Sequence, residues 1–288
     1  MRAIYKREVQ SYFQTMVGYA FIVFLIAAVG VYFMVYNLSY GYPKFAYALY
    51  GSMYFFLIAI PVLTMRSLAE ERKNRTDQLL LTRPVTLGQI VLGKYLAMVT
   101  ILAIPCLVFC MFPLVIQGQG TAYLKTDYAA ILIYFLLGCT YIALGLLLSA
   151  LTESPVIAAV STFGVLLVCY LWEGLRQFMP SQALANLAVI LALIVILAFW
   201  VKHMTKNWML ASGLGVAAAA ACGIVFLNDS TAFENLLSEF MGHFAFAALL
   251  EDALYNNLLN VQGILLLLSA IGLCLFLTMQ MIQKRRWN

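Results

Sequence analysis

Eight stretches of the chain are predominantly apolar and hold no Asp, Glu, Lys or Arg: 17–36, 45–65, 95–116, 128–150, 156–172, 184–201, 209–227 and 261–282. About 20 such residues suffice for a helix to cross a hydrocarbon core of roughly 30 Å. Backbone amides in lipid must be satisfied within the segment itself, so each stretch is predicted as a transmembrane helix. The pair 184–201 and 209–227 also fits a tightly packed hairpin, because its second member is rich in Gly and Ala (Ala217 to Ala221). The first span is full-length and no small-residue cleavage site follows it, so it is expected to be kept rather than cleaved.

The polar blocks between the spans carry their own patterns. On a helical wheel, residues 1–16 place Tyr5, Val9, Tyr12, Phe13 and Met16 on one side, with Arg2, Lys6, Arg7, Gln10 and Gln14 over the rest. Such a segment lies in the headgroup layer with its cations drawn to anionic lipid, and the same cations act as a topology signal. Residues 66–94 form the longest polar loop. In it Ser67 with Glu70, and Thr86 with Gln89, fit capping boxes, while Thr76 and Asp77 are placed to cap a short helix carrying Leu79, Leu80 and Leu81 that Pro84 ends. A leucine-tipped helix among mixed charges either docks on a partner or folds back on its own membrane domain. The connections 37–44 and 117–127 are rich in Gly, Tyr and Asn and read as turns. Stretch 228–260 mixes Glu234, Glu239, Glu251 and Asp252 with Phe240, Phe244, Phe246 and several leucines; its apolar core, 240–250, is too short to span. It is predicted as interfacial or re-entrant helices, serving either as an outer gate or as an inert amphipathic connector.

Composition agrees with the pattern. Hydrophobic residues are 64% and charged residues 10% of the 288, against roughly 45–50% and 25% in soluble domains. That excludes a soluble enzyme, a disordered chain and a disulfide scaffold, and a net charge of +5 scattered through apolar sequence does not suit nucleic-acid binding. With a cytoplasmic N-terminus and eight spans, 14 Lys and Arg fall inside and only Lys44, Lys125 and Arg176 outside. Both termini are therefore expected in the cytoplasm.

Candidate chemistry is mostly absent. The six cysteines all lie within predicted spans, and His203 and His243 fall on opposite sides, so neither metal site nor disulfide is expected. Charge-free spans lack the ionisable groups of ion-coupled carriers and voltage sensors, and no inverted repeat of broken helices is evident. Pro61, Pro105 and Pro113 inside the second and third spans are ordinary membrane-helix kinks. No Gly-x-Ser-x-Gly, His-Glu-x-x-His or Gly-x-x-x-x-Gly-Lys-Ser/Thr motif occurs, so the chain is not expected to be an enzyme. Powered transport would need another chain to supply the energy.

Three stretches carry a resemblance. Leu63-Thr-Met-Arg-Ser-Leu-Ala-Glu-Glu-Arg72, with Thr76-Asp-Gln-Leu-Leu-Leu-Thr-Arg-Pro84 and Gly93-Lys94, resembles ABC-2 type transporter permeases, most nearly their gliding-motility branch. Lys6-Arg-Glu-x-x-x-Tyr-Phe13 with Gly18-Tyr19 is similar to that branch's opening, and Gln283-Lys-Arg-Arg-Trp287 to its basic end. The resemblance implies that the loop between spans two and three holds a coupling helix seated on a separate ATP-binding subunit. Glu70, Glu71 and Arg72 would then make charged contacts, Thr76 and Asp77 would cap, and Leu79 to Leu81 would insert ahead of Pro84. It also implies that ATP and Mg are bound by that partner, with no cofactor in this chain, and that permeases pair as like or unlike dimers. Some members add an auxiliary subunit with an extracellular domain.

The expected protein is thus an all-α integral membrane protein of the bacterial plasma membrane. It would have an interfacial elbow helix at 1–16 and one permease domain at 17–288, a six-helix core plus the extra pair at 184–227. The expected function is the permease subunit of an ATP-driven exporter, with a path lined by helices such as 45–65 and 156–172. Charge-free walls favour an amphipathic or lipid-like substrate. The alternatives are a non-transporting anchor that docks an ATPase, or an uncoupled channel or secondary carrier.

Overall fold

The computed structural model describes residues 2–75, 86–179, 182–205, 213, 216, 234–242, 245–246, 248–255 and 261–287. Among the described residues every regular element is a helix. Six helical runs are long and apolar enough to cross a membrane: Val17–Ser39, Ala46–Lys73, Leu87–Gln119, Leu124–Leu151, Pro155–Gln177 and Val261–Lys284. The chain is an all-α, multi-pass membrane protein. Predicted span 184–201 falls in the helix Ala183–Thr205. Span 209–227 lies outside the described residues apart from Gly213 and Val216.

The chain divides into two compact units, residues 1–170 with 246–288, and residues 171–245. In the first, helix α1 (Arg2–Gln14) leads through a left-handed Met16 into α2 (Val17–Phe33), which widens into a π-helical turn, Met34–Ser39. The expected turn at 37–44 therefore starts inside a helix. The second span is built of α3 (Ala46–Ser52), a 3-10 turn Met53–Phe55, and α4 (Phe56–Thr64), after which the short α5 (Ala69–Lys73) follows. The third is broken. Helix α6 (Leu87–Phe109) ends at Cys110, and α7 (Phe112–Gln119) restarts with Pro113 in its first turn, where a missing amide costs nothing.

Helix α8 (Leu124–Leu151) is the most buried of the six and packs against α3, α4, α6 and the C-terminal helix α13 (Val261–Trp287), whose range follows α9 (Pro155–Gln177), α10 (Ala183–Thr205), α11 (Leu236–Gly242) and α12 (Ala248–Tyr255). Two glycines let its neighbours approach. A Cβ on Gly145 would stand 2.5 Å from Thr64 Oγ1, and one on Gly138 2.6 Å from Leu102 Cδ2. Asp127, fully buried near the start of α8, accepts the amides of Phe45 (2.8 Å) and Ala46 (3.3 Å) and so caps α3. The helices thus extend past the charge-free stretches, and an acid sits inside one of them. Met279, late in α13, lies 3.4 Å from where a Cβ on Gly88 would be, so the far end of α13 meets the start of α6.

The stretch expected as interfacial is divided. Helix α12 buries Leu249 and Leu250 against the bundle, and Phe246 is half-buried on the same core. Phe240 belongs to α11 in the second unit, and Phe244 lies outside the described residues. Within that second unit, the end of α9 meets α11: Trp172 Nε1 donates to the Met241 carbonyl at 2.8 Å, and Arg176 pairs with Glu173 at 3.1 Å and approaches Ser238 Oγ.

Candidate coupling site

Where α1 crosses the start of α6, the two helices touch through small and apolar groups. Ile4 is buried, with its Cγ2 3.1 Å from where a Cβ on Gly93 would be, and Tyr5 OH shares a hydrogen bond with Thr100 Oγ1 at 2.9 Å. The buried stripe of α1 is Ile4, Glu8 and Tyr12, at the i, i+4, i+8 spacing of one helix face. This protein-facing stripe is distinct from the apolar side expected to lie against lipid. Tyr12 is shared, Phe13 is half-buried with its ring edge-on to Tyr19, and Met16 is 74% exposed. Arg2 and Lys6 stay exposed.

Glu8 on that stripe meets a lysine. Lys94, seven residues into α6, is buried on a face it shares with Ile90, Val91, Ala97, Met98 and Ile101. Its ammonium bonds Glu71 Oε1 at 2.8 Å, the Ser67 carbonyl at 2.9 Å and Glu8 Oε1 at 3.2 Å. Arg7 Nη2 completes the cluster, 2.7 Å from Glu8 Oε1 and 3.1 Å from Glu71 Oε1. Two cations and two carboxylates alternate, so the group is neutral and each buried charge has an opposite neighbour. The hydrogen bond to Glu8, with Glu71 close by, raises the Arg7 guanidinium further above its ordinary range. Burial pushes the Tyr12 phenol up, and its hydroxyl donates to the Leu63 carbonyl at 3.1 Å, near the end of α4 where carbonyls lack helical partners.

Helix α5 is fastened from the other side. Ser149 Oγ accepts the amides of Leu68 (3.2 Å) and Ala69 (3.1 Å), and Arg72 donates to the Ala150 carbonyl. The expected capping box of Ser67 and Glu70 is not what opens this helix. Its amides are capped by a residue 80 positions away, and Glu70 instead takes a two-bonded Arg66 at 2.6 and 2.9 Å. Thr86 does occupy the N-cap position of α6, without a side-chain cap bond. An open cavity of about 580 Å³ lies over the cluster, with Arg7, Glu8, Arg66, Glu70, Glu71 and Lys94 among its lining residues.

Of the residues singled out from sequence, the structure thus brings together Arg7, Tyr12, Glu70, Glu71 and Arg72 at the base of the loop. Thr76, Asp77, Leu79, Leu80, Leu81 and Pro84 lie outside the described residues. Sequence reasoning missed Glu8, Arg66 and Lys94. A signal existed for Lys94, a lone cation on an otherwise apolar helix face. Nothing local marked Glu8 as its partner.

This arrangement fastens three helices together. Chemically it is a joint, linking the loop 66–94 to α1 and α6, and through Ser149 to α8.

A family model described as ABC-2 family transporter protein matches residues 35–188, just over half of the chain and inclusive of the loop, Lys94 and α8. No curated protein and no solved structure matches.

Proposed function

Since the chain belongs to the ABC-2 family of transporter proteins, we propose that this ABC transporter permease subunit is driven through the loop 66–94 by a separate ATP-binding subunit. In this reading both termini and the loop face the cytoplasm, and the charge bias, 14 against 3 when eight spans are counted, supports that orientation in the bacterial plasma membrane. ATP and Mg are held by the partner. The leucines 79–81, capped by Thr76 and Asp77 and ended by Pro84, insert into it, with Glu70, Glu71 and Arg72 at the root of the contact. A second permease completes the complex, and transport runs outward, as in the gliding-motility branch the sequence resembles; an auxiliary subunit with an extracellular domain is compatible with this.

The observation that carries the proposal is Lys94 buried between Glu8 and Glu71. Force applied to a loop moves a bundle only if the loop's base is stiff. Here the base is joined by charge to α1 and α6, so displacement of α5 is passed to the helices rather than absorbed in the loop. Glu71 and Arg72 then act by positioning the loop as well as by touching the partner.

The test is co-expression with an ATP-binding subunit encoded beside this chain. Substituting Leu79, Leu80 and Leu81 with Ser is expected to abolish stimulation of the partner's ATPase while membrane insertion persists. Glu71→Gln is expected to leave complex formation intact and reduce transport per ATP hydrolysed. Unchanged stimulation in the Ser variant would retire the docking assignment. Hydrolysis without substrate movement would favour an anchor, and flux in vesicles without ATP or partner would favour a channel or carrier.

A further inference from the structure

At the end of α2 remote from the ionic cluster, the π turn Met34–Ser39 carries the chain toward α3. The corner is fixed by several bonds. Tyr40 and Tyr42 donate their amides to the Val35 and Tyr36 carbonyls, each at 3.0 Å. The buried Asn37 side chain spans the bend, donating to the Tyr42 carbonyl at 2.8 Å and the Lys44 carbonyl at 2.9 Å. Gly41 takes φ +70°, the left-handed conformation the bend requires.

This backbone gathers three tyrosines. Ring centroids are 6.3 Å apart for Tyr36 and Tyr40, 6.1 Å for Tyr36 and Tyr42, and 6.3 Å for Tyr40 and Tyr42, with planes inclined at 54°, 37° and 58°. The triangle is almost equilateral and its walls are neither parallel nor coplanar. Tyr32 stacks on Tyr36 at 5.8 Å and Tyr47 on Tyr42 at 4.7 Å, bracing two of the three from behind. Tyr40 is 70% and Tyr42 43% exposed, so the group opens outward.

Tyrosine is common at membrane interfaces, where single rings sit at headgroup level. A scattered belt does not require three rings to gather within 6.3 Å of one another on a hydrogen-bonded corner. Ring faces carry partial negative charge, and the mutual inclination of the three planes lets a cation seated about 4 Å above the plane of the centroids lie within ~6 Å of each, the range in which any ring face turned toward it attracts it. Lys44, two residues past Tyr42, does not supply that cation: its ammonium lies over Tyr123, 5.8 Å from the ring centre. A quaternary ammonium suits such walls best, since it has no N–H to satisfy and gives up little hydration on entering.

We propose that Tyr36, Tyr40 and Tyr42 form a binding site for a quaternary ammonium group, of the trimethylammonium kind carried by free choline or by a phosphocholine lipid headgroup. The site does not depend on the coupling assignment, because it uses the opposite end of α2 and is read by binding alone.

The test uses the full chain purified in lipid nanodiscs. Choline binding is followed by saturation-transfer NMR of its methyl signal, with tetramethylammonium and the neutral isostere 3,3-dimethylbutanol as competitors. Tetramethylammonium is expected to compete at least about tenfold better than the neutral compound. Replacing all three tyrosines with Leu is expected to weaken binding by a similar factor, whereas replacing them with Phe, which keeps the ring faces, changes it little. Native mass spectrometry after exchange between phosphatidylcholine and phosphatidylglycerol identifies the source: retention of phosphatidylcholine by the wild type and the Phe variant but not the Leu variant points to a headgroup, and response to choline alone to a soluble ligand. Equal competition by the neutral isostere, equal behaviour of the Leu and Phe variants, or no binding of either choline or phosphatidylcholine would overturn the proposal. The first of these comparisons needs no variant, so a misfolded mutant does not protect the idea.

Discussion

Lys94, at 1% exposure, would cost several kcal/mol to bury alone and is held because Glu8, Glu71 and the Ser67 carbonyl meet it. Lys94→Met should destabilise the protein by about 3–5 kcal/mol, since two carboxylates would be left to the half-exposed Arg7. Adding Glu8→Gln should recover part of that loss, so the double variant melts above the Lys94→Met single variant in detergent. If the two substitutions are simply additive, the cluster is not a unit. Gly145 makes a different demand. Its Cβ would stand 2.5 Å from Thr64 Oγ1 and 2.9 Å from Thr64 Cβ, and a β-branched residue has little freedom to yield. Gly145→Ala should cost about 1–3 kcal/mol, and Thr64→Ala should relieve part of it, as read by paired melting curves. Neither effect could be placed from sequence. The pattern marks Lys94 as an isolated cation and Gly145 as a small residue, but not which helix each one faces.

At the scale of elements, the long apolar runs foretold the helices well because hydrocarbon leaves the backbone no alternative. Their ends were set by contacts distant in sequence. Helix α3 begins under Asp127 and α5 under Ser149, each a residue about 80 positions away. Local capping rules point instead to Ser67 and Glu70, yet Glu70 is taken by Arg66. Asp127→Ala should therefore loosen the start of α3, costing about 1–2 kcal/mol and speeding amide exchange at Phe45 and Ala46. Asp127→Asn keeps an acceptor oxygen and should behave close to wild type. The Gly- and Tyr-rich corner at 37–44 shows the same limit: composition announces a bend there, while the π turn and the meeting of three rings depend on Asn37 bridging it.

For the whole molecule, the distribution of Lys and Arg makes a testable statement about sidedness. In a cysteine-free background, a cysteine at Tyr40 should react with an impermeant maleimide on intact cells, and one at Arg75 only after permeabilisation. The reverse labelling pattern would invert the topology and remove the loop from any cytosolic ATPase. The joined ends of α1, α6 and α13 also explain how the loop, the amphipathic N-terminus and the C-terminal helix come to occupy one end of the first unit. Matching residues 35–188 to the ABC-2 family includes the loop but begins after α1. The Glu8 half of the joint is thus a feature visible in the fold, beyond the matched stretch.

The sequence alone determined that this is a helical, multi-pass membrane protein, because span length and the absence of alternatives for a backbone in lipid are local properties; its ABC-2 kinship rests instead on the residues of the loop and on the family match over 35–188. Tertiary structure decided which charges meet, which glycines are crossed and which face of α1 is buried. Those outcomes depend on helix rotation and crossing. A near-uniform apolar surface leaves rotation almost unspecified by hydrophobicity, so a few polar contacts, Lys94 with Glu8 and Glu71, Asp127 with α3, and Ser149 with α5, select it.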